Sequence, residues 1–230
     1  MAIQIKSQEE IAKMRVAGQL ACDVLEMIAP HVKAGITTDE LNTLWAEYTE
    51  NVQNAISAPL NYHGFPKSIC TSVNYVVCHG IPDNTKLIDG DIINIDITVI
   101  KDGYHGDTSK MFLIGDVSPE DKRLCRLAQE SLYVGLKKVK PGAAFGDIGA
   151  AIQKFIKSKG RYSIVKDYCG HGIGKEFHEE PQIVHYKNND KTKMLEGMCF
   201  TIEPMINLGK ATTILDKQDN WTVYTSDNKN

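Results

Sequence analysis

No apolar run in the sequence approaches the roughly 20 residues that a membrane-crossing helix needs, so no membrane span is expected. The start, Met1 to Lys13, mixes Lys, Glu and Gln. It has no basic stretch leading into an apolar core, so no secretory leader is expected either. Cysteine pairs of the C-x-x-C kind are lacking: Cys22, Cys70, Cys78, Cys125, Cys169 and Cys199 are scattered, which argues against a zinc ribbon or a thioredoxin-like motif. Such cysteines in a chain without a leader read as reduced thiols, and the expected location is cytoplasmic. A surplus of one charge is also lacking. The net charge of -3 draws the chain neither to nucleic acid nor to an anionic membrane surface.

What the chain does have is 230 residues, 42% of them hydrophobic, enough for one domain with a true core or for two small ones. Residues 7–29 read as a helix: Ser7 and Glu10 form a capping-box pattern, and Ile11, Met14, Leu20, Val24, Leu25 and Ile28 return on one face. A second helix follows Thr37, with Leu41, Leu44, Trp45, Tyr48 and Val52 as its apolar stripe. The pair then recurs. Ser118-Pro119 opens a helix carrying Leu124, Leu127, Leu132 and Leu136, and the next, with Ile148, Ile152, Phe155 and Ile156, ends at Gly160. Between the helices of each pair, Val139-Lys140-Pro141-Gly142 echoes Val32-Lys33-Ala34-Gly35 at a distance of 107 residues. Each pair precedes β-rich sequence, residues 69–112 and 162–223. Two related halves, about 1–117 and 118–230, sharing one sheet with helices outside, explain this repeat; two unrelated α+β segments are the plainer alternative.

The strand from Ile92 to Ile100 places Ile93, Ile95, Ile97 and Val99 on one face and Asn94, Asp96 and Thr98 on the other. Asp102-Gly103 suits a two-residue type I′ turn, which sets Thr98 opposite Asp107. Asp96 is then the diagonal neighbour of Asp107, about 7–8 Å away between backbones. Two converging carboxylates call for a cation, and no Lys or Arg shares their face; a solvated hairpin face is the competing reading. The run Tyr168 to Pro181 sets Gly170, Gly172 and Gly174 around His171, with His178 just beyond. Closely spaced glycines permit close backbone approach and unusual dihedrals. The spacing is not that of a nucleotide-binding fingerprint. Cys199 to Pro204 reads as a strand delivering Glu203 at its end, where Pro204 stops the ladder. Two Asp, one His and one Glu make a hard, oxygen-rich set suited to Mn, Fe(II) or Co rather than to a structural zinc.

Cys78-His79-Gly80-Ile81-Pro82, Asn94-Ile95-Asp96, His105-Gly106-Asp107-Thr108-Ser109, the run from Tyr168 to Pro181, and Thr201-Ile202-Glu203-Pro204 together resemble the type I methionine aminopeptidases, in order and spacing, to about Trp221. The resemblance implies an α+β pita-bread fold and removal of an N-terminal methionine that precedes a small residue. It implies metal ligands at Asp96, Asp107, His171 and Glu203, catalytic substrate contacts at His79 and His178, and a methionine pocket at Tyr62, Phe65, Cys70, Phe177 and Trp221. Position 59, at the pocket rim, is Pro59 here. The cofactor implied is a divalent metal, Fe(II), Mn, Co or Zn. The partners implied are nascent polypeptide N-termini and the ribosome. The family's last strands and its metal-bridging glutamate have no counterpart before Asn230. One metal site instead of two, impaired activity, lower stability and self-association through an exposed sheet edge are therefore expected. Two rival readings are a catalytically inactive relative that binds peptide and an X-Pro peptidase; the latter normally carries a further domain, for which there is no room before Ile11.

Overall fold

The computed structural model describes residues 2–230. In chain order the elements are α1 (Gln8–Ile28), α2 (Thr38–Glu47), β1 (Ile56–Ser57), β2 (Cys70–Val73), β3 (Val76–Cys78), β4 (Ile92–Lys101), β5 (Tyr104–Leu113), α3 (Pro119–Leu136), α4 (Gly146–Lys159), β6 (Ser163–Ile164), β7 (Gly170–Gly172), β8 (Glu179–Ile183), β9 (Ile206–Asn207), β10 (Thr213–Leu215) and β11 (Val223–Thr225). No helix among the described residues is long and apolar enough to cross a membrane.

The contacts divide the chain into two units. One comprises Ala12–Lys122 with Leu215–Tyr224. The other comprises Arg123–Ile214, the segment up to Ile11 and the last six residues.

In the first unit β4 carries the sheet. It pairs with β5 along one edge, and with β2 and β1 along the other. Asp102 and Gly103 both have positive φ, as a type I′ turn requires, and the register places Thr98 opposite Asp107 as the turn chemistry predicts. Ile93, Ile95, Ile97 and Val99 are fully buried against Val24 and Ile28 of α1 and Leu41 and Trp45 of α2. A capping box starts α2: the Thr37 side chain accepts from the Glu40 amide, and the Glu40 carboxylate accepts from the Thr37 amide at 2.7 Å. The expected stripe fails at its end. Tyr48–Val52 winds as a π-turn, which rotates the face; Thr49 and Gln53 go inward and Val52 is 62% exposed.

The second unit repeats the plan with α3 and α4. Ser118 caps α3 by accepting from the Asp121 amide at 3.0 Å, and Gly160 terminates α4. Ile148, Ile152 and Ile156 are buried, whereas Leu136, expected on the apolar face of α3, is 51% exposed in its last turn. Gly149 leaves room for the carbonyls of Val184 and Tyr186, so α4 lies close against the chain leaving β8. The 107-residue offset recurs in the backbone pairing. The Thr37–Lys86 bridge matches Ala144–Lys193, and Gly35 N–H to Leu87 O matches Gly142 N–H to Met194 O. Asp39 N–H to Asp83 O likewise matches Gly146 N–H to Asp190 O.

Candidate active site

In the first unit, Asp96 and Asp107 stand half-buried on the face of the β4–β5 hairpin opposite the isoleucines. Cys70 of β2 is the direct cross-strand partner of Asp96. Burial pushes the Cys70 thiol well above its ordinary pKa, and the negative charges of Asp96 and Asp107 and the Cys78 thiol push it further. The hairpin thus presents two carboxylates whose field reaches a protonated, buried sulfur. Gly106, between His105 and Asp107, allows the close approach of α1: a Cβ there would overlap the backbone of Ala17 and Gly18. The glycine of the His-Gly-Asp motif therefore fixes the distance between helix and hairpin.

His79 follows β3 with a positive φ of 56°. Its ring meets Trp221 edge-on, 6.2 Å between centroids, and Phe65 meets the same indole edge-on at 5.2 Å. Burial lowers the His79 pKa, so the neutral ring is favoured. Asp219 fixes the turn that presents Trp221, accepting from the Trp221 and Thr222 amides at 2.7 and 2.9 Å. Tyr62 opens a short 3₁₀ turn, Tyr62–Gly64, just ahead of Phe65. Of the expected pocket residues, the structure brings Phe65 and Trp221 into contact in this unit, with His79 beside them.

In the second unit His171 lies on β7. None of the flanking glycines has a positive φ; their value is close approach. A Cβ at Gly170 would sit 2.5 Å from the Thr201 carbonyl oxygen, and one at Gly172 would overlap Glu180. The expected strand from Cys199 to Glu203 does not form. Beyond the Gly172–Phe200 bridge, the Thr201 amide still donates to His171 O at 2.8 Å. The Glu203 amide instead donates to the imidazole Nε2 of His185 at 3.1 Å, and Pro204 has no amide to offer. Thr201 holds both partners: its hydroxyl accepts from the His171 amide at 2.9 Å and donates to Glu203 Oε1 at 2.6 Å.

These contacts define the chemistry. His171 Nδ1 lies 2.9 Å from the carbonyl oxygen of Gly172, so Nδ1 donates there and Nε2 is the nitrogen directed at Glu203. That nitrogen is 3.5 Å from Glu203 Oε1. An imidazole nitrogen and a carboxylate oxygen at this distance can share a proton or a metal cation, and an imidazole oriented through its other nitrogen is the usual preparation for a metal ligand. The residues present fit a divalent ion. No group of three or more His, Cys, Asp or Glu side chains in metal-holding geometry occurs among the described residues. His178 stacks on Phe177, centroids 4.5 Å apart, and lies 4.2 Å from the His171 ring.

Thr201 and His185 were not singled out from the sequence. Thr201 had a signal, since it stands two positions before Glu203 in a segment read as extended. His185 had none, because its contact is made through space.

The model of metallopeptidase family M24 matches residues 12–224. The chain belongs to that family. Within it, the chain groups with the methionine aminopeptidases. It is 58% identical to the methionine aminopeptidase of Escherichia coli K12, across 99% of this chain and 86% of that protein. The crystal structure of methionine aminopeptidase from Rickettsia prowazekii superposes with a TM-score of 0.96 at 51% identity, covering 99% of this chain and 92% of that one. The enzyme of the same name from Thermotoga maritima gives 0.94 at 33%, covering 99% and 91%. An X-Pro aminopeptidase from Thermotoga maritima, 24% identical with a TM-score of 0.73 over 88% of this chain and 58% of its own, shares the fold alone. The pita-bread fold expected from the motifs is the fold of the chain.

Proposed function

We propose that the chain removes the N-terminal methionine from polypeptides whose second residue is small, by metal-dependent hydrolysis with Asp96, Asp107, His171 and Glu203 as ligands. One observation carries the reading: Nε2 of His171 and a carboxylate oxygen of Glu203 face each other at 3.5 Å, with the ring anchored through Nδ1 to the Gly172 carbonyl oxygen, an arrangement that suits a divalent cation. The oxygen-rich set suits Mn, Fe(II) or Co, with Zn as a further occupant. When bound, the ion supplies a water of lowered pKa and polarises the scissile carbonyl.

The protein's own residues perform the remaining work. Glu203 accepts the proton of the attacking water through the carboxylate that Thr201 orients and later delivers it to the leaving amine. His178 donates from its ring to the oxyanion, held by the Phe177 stack. His79, neutral in its buried setting, accepts from the peptide nitrogen beyond the methionine. Phe65, Trp221, Tyr62, Phe177 and Cys70 supply aromatic faces and a protonated sulfur, a surrounding that favours a thioether over a charged side chain. The high identity to aminopeptidases speaks against an inactive peptide-binding relative. The six cysteines, none in a disulfide, support action in the cytoplasm on newly made chains.

The test is release of methionine from Met-Ala-Ser and Met-Leu-Ser with Mn, Fe(II), Co or Zn. Turnover of the first peptide, little of the second and none with chelator is expected. His178→Ala should lower kcat by about 10²–10³ with at least one metal still active. No methionine released with any of the four metals would overturn the assignment.

A further inference from the structure

The segment up to Ile11 belongs to the second unit, and Lys6, two residues before the start of α1, is buried. The Lys6 ammonium pairs with the Glu179 carboxylate, and both side chains are nearly sealed from solvent, at 6% and 8% exposure. Glu179 is the residue directly after His178. Its other oxygen, Oε1, accepts from the Glu176 amide at 3.3 Å, so the carboxylate ties both ends of residues 176–179. Two glycines clear the space for this lysine. A Cβ on Gly174 would lie 2.5 Å from Lys6 Cε and 2.6 Å from Glu179 Oε1. One on Gly197, at φ +88°, would lie 2.7 Å from the Lys6 carbonyl oxygen. The Lys6 amide donates to Gly197 O at 2.8 Å, which fixes the backbone as well as the ammonium.

Desolvating two opposite charges gives weak net stability, whereas losing either partner is severe because the survivor stays buried. What a sealed pair supplies is a single geometry. We propose that Lys6 is a positioning residue for catalysis, clamping the segment Gly174–Glu179 so that the His178 ring is held on its target. The proposal rests on the role of His178 given above.

The experiment uses the full-length chain with Mn or Co and compares the wild type, Lys6→Met and the double variant Lys6→Met/Glu179→Gln, which removes both charges. Three quantities are read: kcat and KM on Met-Ala-Ser, the melting temperature, and amide hydrogen exchange across residues 174–179. The single variant, left with a buried carboxylate, should melt roughly 10 °C lower. The double variant should regain most of that stability. It should nonetheless keep a kcat reduced roughly 10- to 100-fold with KM within about threefold, since a misplaced group costs the transition state more than the ground state. Exchange at 174–179 should be faster while α4 and β4 stay protected. A double variant with wild-type kcat and wild-type exchange would show the pair to be structural only. If the wild type itself releases no methionine with any metal, the role of His178 fails, and unchanged exchange in the double variant would then separately remove the clamp.

Discussion

The two ring nitrogens of His185 face opposite conditions. Nε2 must stay unprotonated to accept the Glu203 amide at 3.1 Å, while Nδ1 is buried without a hydrogen-bond partner among the described residues. Protonation would set a second donor against the amide and place a charge in a site 1% exposed. Burial accordingly lowers the His185 pKa from 6.5 to about 4. The unfolded chain therefore binds more protons than the folded one between these values. Stability is complete above about pH 6.5 and is lost as pH falls towards 4, a difference of roughly 3 kcal/mol. Urea unfolding of the metal-free protein at pH 7.5 and pH 4.5 should show that loss, and His185→Gln should reduce it by most of that amount. Parallel pH profiles for the two proteins would refute the assignment. The sequence held no sign of this residue's role. Asp96 and Asp107, by contrast, were legible because a turn of known geometry fixes their register.

Between α1 and the β4–β5 hairpin the decisive side chain is an absent one. Gly106 and Gly18 are neighbours in space but not equivalent. A Cβ on Gly106 would enter the helix backbone at Ala17 and Gly18, and backbone cannot swing aside as a side chain can. A Cβ on Gly18 meets nothing within 4 Å. Gly106→Ala should destabilise by roughly 1–3 kcal/mol or more and shift Asp107 with its strand. Gly18→Ala should stabilise by about 0.5–1 kcal/mol, because alanine loses less entropy in a helix. Thermal melts of the two variants in opposite directions are the expected outcome, and a fall of both would place the tight contact elsewhere. Local rules read these elements well where they act alone, as in the Asp102-Gly103 turn and the Ser7–Glu10 capping box, where each side chain accepts from the other's amide. They failed at Val52, where a π-turn rotates the helix face, and at Glu203, where an imidazole takes the amide that a ladder would have used.

Across the whole molecule, one offset recurs in the scaffold and between two of the proposed ligands. The loop pairings repeat at 107 residues, and so do Asp96 and Glu203, two of the four expected ligands. The echo of Val32–Gly35 in Val139–Gly142, visible in the sequence, coincides with a matched pair of hydrogen bonds, from the Gly35 amide to Leu87 O and from the Gly142 amide to Met194 O. Lys6 and Glu179, 173 positions apart, follow no such period, and no local pattern announces a pair that only the folded chain assembles. A cation bound by the proposed ligands has a thermodynamic consequence. Without cation, Asp96 and Asp107 are diagonal carboxylate neighbours on one face of the hairpin, an arrangement that the unfolded chain does not impose. A ligand that binds only the folded chain stabilises it by about 2.7 kcal/mol at a hundred times its dissociation constant. For a chain of this size that raises the melting temperature by roughly 5–10 °C. Titrating Mn or Co into chelator-treated protein should therefore raise the melting temperature in step with the logarithm of free metal. Asp107→Asn should abolish the metal-dependent rise while leaving the metal-free melting temperature unchanged or slightly higher, since one repelling charge is gone. A metal-dependent rise of full size in Asp107→Asn would remove this carboxylate from the ligand set.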